Sequence, residues 1–265
     1  MTNFFAIVGP TGIGKTSLSI KLAKKLNSEI IGLDSRQIYK MIPIGTAQPS
    51  EKDLKTVKHH LIGIKDLHES ISAGEFMKLV DNKIAKILEK NKTPIICGGT
   101  GLYLKSLVDG IFIGSKTDTN IRTDIEKEYD NGNSENLYKE LISIDPEYSK
   151  KVHPNNKRRL VRALEIYKIT GKNMTENFKS ENKKSTFHSH IQTAYLRMSR
   201  KSLESIIYQR TLSMIENGMI EEVQYIKDNK YNIDHIDYIG FSEISSYLEK
   251  KMSKEDVIEK IHIRT

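Results

Sequence analysis

Cysteine and tryptophan are scarce in this chain of 265 residues, which contains one cysteine and no tryptophan. A single cysteine excludes any intrachain disulfide and is typical of a protein from a reducing compartment. Because Cys97 stands in the apolar run 94–98, we expect a buried thiol that packs and does not act as a nucleophile.

Long apolar segments are also missing. The N-terminal residues lack the basic segment and the apolar stretch of a signal peptide. No run approaches the roughly 20 apolar residues that a membrane-spanning helix requires. We therefore expect a cytosolic protein without a membrane partner.

Positive charge is in excess, with 42 Lys and Arg residues against 34 Asp and Glu residues and a formal net charge of +8. A basic surface favours a polyanionic partner, because each cation that meets a phosphate releases condensed counterions. The same excess also fits a lysine-rich protein whose charge serves only solubility. Charge alone does not decide between a nucleic-acid partner and none.

The first third of the chain alternates short apolar runs with helical patterns. The runs predict buried strands at 4–8, 29–33 and 93–97. Leu18, Leu22 and Leu26 share one face of the first helix, and Ser72 with Glu75 forms a capping box that opens a later one. Alternation of this kind predicts a parallel sheet covered on both faces, an α/β fold.

The rest of the chain has a different texture. Residues 119–186 are polar and mostly helical, and we interpret them as a helical insertion between a first core segment, 1–118, and a return to the core, 187–265. In the return segment we expect one strand within 191–198 and two helices, at 201–217 and 219–228.

A glycine-rich motif between the first strand and the first helix carries the strongest chemical signal. It reads Gly9-Pro10-Thr11-Gly12-Ile13-Gly14-Lys15-Thr16. The spacing and the strand–helix context are those of a P-loop, whose backbone N–H groups cradle linked phosphates. Lys15 supplies a charge and the Thr16 hydroxyl is a candidate Mg²⁺ ligand. The motif makes the predicted fold a P-loop NTPase-like parallel sheet flanked by helices.

The loop does not reveal which bond breaks. By default such loops hold ATP or GTP for phosphoryl transfer, and Asp34, at the end of the second strand, would then lie on the Mg²⁺ side. A small-molecule kinase of this kind would use Arg158, Arg159 and Arg162 as a lid over the phosphates. It would release ADP.

Several short motifs follow the loop in order. They are Asp34-Ser35-Arg36-Gln37-Ile38-Tyr39-Lys40, Ile44-Gly45-Thr46-Ala47-Gln48-Pro49, His59-His60, Gly98-Gly99-Thr100-Gly101-Leu102-Tyr103, His153-Pro154-Asn155 and Arg162-Ala163-Leu164-Glu165. In these segments the chain resembles the tRNA dimethylallyltransferases, also called tRNA isopentenyltransferases. The resemblance extends from about residue 4 to residue 248.

The resemblance implies a prenyl transfer. The loop at 9–16 would bind the diphosphate of dimethylallyl diphosphate, with Mg²⁺ on Thr16, and the exocyclic amine of the adenosine 3′ to the anticodon would attack carbon. The tRNAs would be those that read U-initial codons. The implied catalytic residues are Asp34, as the base, with Thr100, Arg210 and Lys15.

The resemblance also implies a tRNA interface at the anticodon stem-loop, where the target adenosine leaves its stack before it reacts. The implied tRNA-binding residues are Asp34, Ser35, Arg36, Gln37, Thr100, Arg122, Arg158, Arg159, Leu160, Val161 and Arg162. We expect the enzyme to act as a monomer.

Two positions depart from the family pattern. Ile206 stands where the family often has an arginine one turn before Arg210, and Ser242 replaces a basic residue. Beyond Thr265, relatives carry a further basic segment. Two alternatives to tRNA prenylation stay open besides the kinase, namely a non-catalytic RNA-binding relative and a variant that prenylates free adenine nucleotides.

Overall fold

The computed structural model describes residues 3–112, 118–180 and 182–265; residues 1, 2, 113–117 and 181 lie outside the described part. The strands are β1 (Phe4–Val8), β2 (Glu29–Leu33), β3 (His59–His60), β4 (Pro94–Gly98), β5 (Ile111–Phe112), β6 (Asn182–Lys183) and β7 (Ile191–Tyr195). The chain divides into two units, Met1–Val108 with Ser185–Thr265, and Asp109–Lys184.

Thirteen α-helices are found in the described residues. They are α1 (Lys15–Lys25), α2 (Glu51–Thr56), α3 (Ala73–Leu88), α4 (Gly101–Val108), α5 (Thr119–Glu128), α6 (Ser134–Ile144), α7 (Pro146–Ser149), α8 (Lys157–Thr170), α9 (Met174–Ser180), α10 (Arg200–Glu216), α11 (Met219–Asp228), α12 (Phe241–Leu248) and α13 (Lys254–Arg264). None of these helices combines the length and the apolar character that crossing a bilayer demands.

The first unit is built on a five-stranded sheet in the order β3-β2-β4-β1-β7, and every paired neighbour is parallel. Strand β2 is buried along its whole length and β1 is buried at every position except Phe5, as expected for parallel strands that are covered on both faces. Helix α1 packs Ile20 and Ala23 against Ile7, Ile30 and Ile95 of the sheet. The α/β fold predicted from the sequence is confirmed.

Helix α3 begins where the sequence predicts. The Ser72 hydroxyl accepts from the Glu75 N–H, and the Glu75 carboxylate accepts from the Ser72 N–H at 2.8 Å. This reciprocal cap satisfies two N–H groups that the first helical turn cannot pair. The helix buries one apolar face, which includes Phe76, Val80 and Ile84.

The second unit has its own helical core, built from α5, α6 and α8 with Ile125, Leu137, Leu141, Leu160 and Leu164 buried. A π-helical turn at Tyr129–Asn133 contains Gly132 in a left-handed conformation. Asp145, 1% exposed, caps α7 through the Tyr148 N–H and also accepts from the backbone and hydroxyl of Thr175, which fixes the start of α9.

The structure differs from the sequence prediction in several local details. Leu26 follows α1 and is 49% exposed, because the helix ends at Lys25 and the chain turns away from the core face. The two-residue strand β3 and the helices α12 and α13 have no counterpart in the prediction. A two-residue strand has too few positions to show alternation.

Candidate functional site

A cavity of about 540 Å³ opens at the carboxyl ends of the parallel strands of the first unit. Residues after β1 and β2 and at the end of β4 line it, among them Gly12, Asp34 and Gly98. Ligands of open parallel sheets bind outside this edge, because the loops that leave the strands converge there. The cavity is therefore the candidate functional site.

The glycine-rich loop connects β1 to α1 and forms one wall of the cavity. Gly9 has a φ of 154°, and a Cβ at this position would lie 2.9 Å from the Leu196 carbonyl oxygen, so the loop passes too close to β7 for any side chain. Gly14 stands before the first turn of α1, which contains no acidic residue. The positive end of the helix dipole therefore remains available to an anion.

Lys15 lies across the mouth of this loop. Its Nζ donates hydrogen bonds to the carbonyl oxygens of Gly9, at 2.9 Å, and Pro10, at 2.8 Å. Burial lowers the pKa of the Lys15 ammonium, and Arg210 adds to this effect while Asp34 opposes it. The group is a partly desolvated cation that lies against the backbone of the glycine-rich loop.

Asp34 follows β2 and lines the cavity. Its Oδ1 accepts from the backbone N–H of Arg36 at 2.9 Å and of Gln37 at 3.3 Å. This turn fixes the side chain, because two donors from the same loop hold one carboxylate oxygen. Within the described residues, Oδ2 accepts no hydrogen bond, and it is the oxygen left for a ligand.

Thr100 supports the loop that carries Asp34. Its Oγ1 accepts from the Ser35 N–H at 3.0 Å and donates to Ser35 Oγ at 3.4 Å. The described cavity lining includes Asp34 but neither Ser35 nor Thr100. The structure thus brings Thr100 next to the loop that carries Asp34.

Arg210 projects from α10 and lines the cavity. In the described part of the chain it forms no hydrogen bond or ion pair. Burial lowers the pKa of its guanidinium, Asp34 raises it and Arg36 lowers it. Asp34 thus acts electrostatically on both cavity cations, Lys15 and Arg210.

One part of the cavity is apolar. Its lining includes Ile206, Ile207, Met214, Ile239 and Ile261. Ile206 also packs on the glycine-rich loop, since a Cβ at Gly12 would lie 3.2 Å from its Cγ2. A ligand with an anionic end and a short apolar end would match both parts of this lining.

The segment 44–47 forms a further wall, with Gly45, Thr46 and Ala47 in the lining. Gln37 Nε2 donates to the carbonyl oxygens of Thr46, at 3.2 Å, and Ala47, at 2.8 Å. On the other side, the carboxylate of Glu222 accepts from the backbone N–H groups of Ile44 and Gly45. Sequence reasoning missed Glu222, because a lone glutamate in an amphipathic helix carries no local sign of burial.

The remaining predicted tRNA-binding residues belong to the second unit. Arg122 pairs with Glu126 at 2.9 Å on α5, and Arg162 pairs with the buried Glu165 at 2.9 Å on α8. Arg159 donates to the Lys151 carbonyl at 3.4 Å.

Four consecutive residues of α8, 158–161, divide between surface and core. Arg158 and Arg159 are exposed, whereas Leu160 and Val161 are 0% and 1% exposed. The side chains of Leu160 and Val161 therefore belong to the core of the second unit and have no surface to offer an RNA. The adjacent arginines do have such a surface.

Together the sheet, the glycine-rich loop and the two cations define a parallel α/β protein with a cavity at its strand ends whose lining suits an anion. A family model described as IPP transferase matches residues 37–265. The tRNA dimethylallyltransferase of Petrotoga mobilis is 38% identical over 268 residues, which cover 100% of this chain and 87% of that protein. The chain belongs to the IPP transferase family.

Further relatives and solved structures support the same family assignment. The tRNA dimethylallyltransferase of Bacillus subtilis is 38% identical over 257 residues, 96% of this chain and 81% of the relative. The tRNA isopentenylpyrophosphate transferase of Bacillus halodurans superimposes with a TM-score of 0.68 at 34% identity, covering 100% of this chain and 83% of that one. A eukaryotic dimethylallyltransferase acting on tRNA has a TM-score of 0.80 at 31% identity, with coverage of 100% and 67%.

Proposed function

We propose that this chain transfers a dimethylallyl group from dimethylallyl diphosphate to the exocyclic amine of the adenosine 3′ to the anticodon in tRNAs that read U-initial codons. One observation carries the proposal. A carboxylate, Asp34, and two desolvated cations, Lys15 and Arg210, line a single cavity beside a glycine-rich loop. The relatives are named as dimethylallyltransferases that act on tRNA, and this arrangement of side chains suits that reaction.

In the proposed reaction the cations and the glycine-rich loop bind and stabilise the diphosphate leaving group. As the carbon–oxygen bond of the donor breaks, negative charge grows on the departing diphosphate. Lys15, Arg210 and the backbone N–H groups of residues 11–16 stabilise that charge more in the transition state than in the ground state. The apolar lining near Ile206 and Ile207 accommodates the prenyl group and excludes water from the reacting carbon.

In the proposed reaction Asp34 is the general base for the adenosine amine. The exocyclic amine of adenosine is weakly nucleophilic because its lone pair is delocalised into the ring. A carboxylate within hydrogen-bond reach can take the amine proton as the new carbon–nitrogen bond forms. The free Oδ2 of Asp34 is the proposed acceptor of that proton, and Thr100 holds the loop in place through Ser35.

Magnesium is the proposed cofactor. The described residues contain no cluster of three or more His, Cys, Asp or Glu side chains that would hold a metal by themselves. The Thr16 hydroxyl, which lines the cavity beside Lys15, fits an ion that binds mainly to phosphate oxygens and water. When bound, Mg²⁺ supplies charge neutralisation at the diphosphate.

The tRNA contacts are part of the same proposal. Arg36 and Gln37 at the cavity, and the exposed Arg158 and Arg159 of the helical unit, are the proposed contacts to the anticodon stem-loop. Basic side chains on a helical surface hold phosphates, while a flipped base enters a cavity. The tRNA substrate implies a cytoplasmic reaction, and we propose that the enzyme acts as a monomer.

The test is a transfer assay with Mg²⁺, labelled dimethylallyl diphosphate and one of three acceptors, unmodified tRNA, an anticodon stem-loop or AMP. We expect label on the adenosine 3′ to the anticodon of the first two acceptors. A tRNA with guanosine at that position is the control and should stay unlabelled. Transfer to AMP alone would identify a free-nucleotide prenyltransferase, and transfer of the γ-phosphate of ATP without prenylation would identify a kinase.

A further inference from the structure

Glu222 of α11 is a carboxylate held almost entirely out of solvent, with 9% of the residue exposed. Its Oε2 accepts from the Ile44 N–H at 2.9 Å and its Oε1 accepts from the Gly45 N–H at 2.8 Å. The Tyr238 hydroxyl donates a third hydrogen bond to Oε1 at 2.7 Å. Glu222 thus joins α11 to a loop that lies far away in the sequence.

The partners of this carboxylate are all neutral. Among the residues that the structure describes, no lysine or arginine forms an ion pair with Glu222. Burial raises the pKa of Glu222, whereas the hydrogen bonds from Tyr238, Gly45 and Ile44 lower it. Burying a carboxylate without a cation is costly, and an apolar side chain would fill the same space at less cost. The benefit must therefore lie in what the three hydrogen bonds hold.

The hydrogen bonds to Glu222 hold the loop 44–47, whose backbone is closely packed. A Cβ at Gly45 would overlap the Tyr238 ring, so the loop passes directly against the side chain that also binds Glu222. Ala47 has a φ of 48°, a left-handed conformation that needs support from its surroundings. Gln37 grips the other side through the Thr46 and Ala47 carbonyls.

The contacts form a continuous path to the proposed base. Glu222 holds the N–H groups of the 44–47 loop, Gln37 holds its carbonyl groups, and the backbone N–H of Gln37 donates to Oδ1 of Asp34. Residues 45–47 of the loop, Gln37 and Asp34 all line the cavity. The glycine-rich loop and Lys15 are not part of this path.

We propose that Glu222 is a positioning residue, which fixes the 44–47 loop, and through Gln37 the turn of Asp34, against the acceptor base. The proposal rests on the proposed function, since it assigns Glu222 to the acceptor side of that reaction. The proposal assigns one half of the cavity to the prenyl donor and the other half to the acceptor base. The donor half depends on residues 9–16, and the acceptor half depends on a buried carboxylate that touches neither substrate.

Glu222→Gln tests the proposal, because glutamine has the same size but replaces one acceptor oxygen with an NH₂ group. Glu221→Gln, the exposed neighbour on the same helix, is the matched control with the same change of charge. In Glu222→Gln we expect the KM for the anticodon stem-loop to rise about tenfold, since a charge-assisted hydrogen bond is lost. The affinity for inorganic pyrophosphate should not change.

Amide hydrogen exchange provides a second readout that does not depend on activity. The N–H groups of Ile44 and Gly45 should exchange faster in Glu222→Gln, while those of β1 and β4 keep their protection. Tyr238→Phe leaves both backbone contacts in place and should change the KM for the acceptor less than Glu222→Gln does.

The outcomes separate the two proposals. If Glu221→Gln prenylates tRNA and Glu222→Gln does so with the same KM, the role of Glu222 is refuted while the function stands. Equal losses of pyrophosphate and acceptor binding in Glu222→Gln would also refute the role, because they indicate general disruption of the fold. If the unaltered chain transfers no prenyl group, the proposed function itself fails. In that case, faster amide hydrogen exchange at Ile44 and Gly45 in Glu222→Gln would still show that Glu222 holds the loop 44–47.

Discussion

The ammonium group of Lys15 donates a hydrogen bond to the carbonyl oxygen of Gly9 at 2.9 Å, across the loop that the lysine itself helps to form. This contact satisfies a half-buried cation, whose pKa is lowered by its partial burial. An anion in the loop would offer Lys15 a charged acceptor in place of a neutral carbonyl. Hydrogen bonds between two charged groups are stronger than those to a neutral partner, and the exchange favours binding.

Lys15→Met should therefore weaken the binding of inorganic pyrophosphate by about tenfold to a hundredfold, the range expected for loss of a charge-assisted contact. Methionine keeps much of the apolar stem and removes the charge. Calorimetric titration with pyrophosphate and Mg²⁺ measures the effect. Lys24→Met, an exposed change on the same helix, should bind like the unaltered chain, and an equal loss in both variants would point to unspecific electrostatics.

Ile206 offers a gain-of-function prediction. Its side chain packs on the loop at Gly12 and lines the cavity, so an arginine there would lie beside the glycine-rich loop. An additional cation in this partly screened position contributes about 1 kcal/mol, so Ile206→Arg should tighten pyrophosphate binding about fivefold. The gain should shrink as salt is added. Ile206→Gln introduces a polar but neutral side chain and should not tighten pyrophosphate binding. Tighter binding in Ile206→Gln would exclude the electrostatic explanation.

Glu29 provides a prediction about stability and pH. Its buried carboxylate contacts His60 Nε2 at 2.7 Å, Lys90 Nζ at 3.1 Å and Lys92 Nζ at 3.4 Å. Burial alone would raise the pKa of Glu29, but these hydrogen bonds outweigh it and lower the pKa from 4.5 to about 2. Because the pKa is lower in the folded state, the ionised group stabilises the fold above pH 4.5 by about 3 kcal/mol.

This stabilisation should disappear as the pH falls from 4.5 towards 2. In urea denaturation, Glu29→Gln should have a lower free energy of unfolding than the unaltered chain at pH 7. The difference should narrow as the pH falls through that range. A difference that is independent of pH would show that Glu29 acts through packing and not through its charge.

The parallel sheet and the glycine-rich loop could be predicted from the sequence because their signals are local. Four residues of β1 and its loop show this: the strand ends at Val8, and Gly9, Gly14 and Lys15 follow in fixed spacing. The capping box of α3 is equally local, since Ser72 and Glu75 are three residues apart. The family resemblance, confirmed by the comparisons, adds the candidate residues around Asp34.

The cavity wall formed by residues 45–47 could not be predicted in the same way. Glu222 contacts Ile44 and Gly45 across more than half of the chain, and nothing in the pattern of α11 distinguishes it from its exposed neighbour Glu221. The burial of Leu160 follows likewise from the packing of several helices. Such features depend on contacts between segments that are distant in sequence, which periodicity and motif spacing do not encode.

The most direct test of the central claim compares the unaltered chain with Asp34→Asn in a single-turnover transfer of the dimethylallyl group to tRNA. Asparagine keeps an oxygen that can accept from the N–H groups of Arg36 and Gln37, so the loop should persist while the base is lost. We predict that the transfer rate falls at least about a hundredfold, as expected for removal of a general base, while pyrophosphate binding does not weaken, because the change removes a negative charge from the cavity. An unchanged transfer rate in Asp34→Asn would contradict the account.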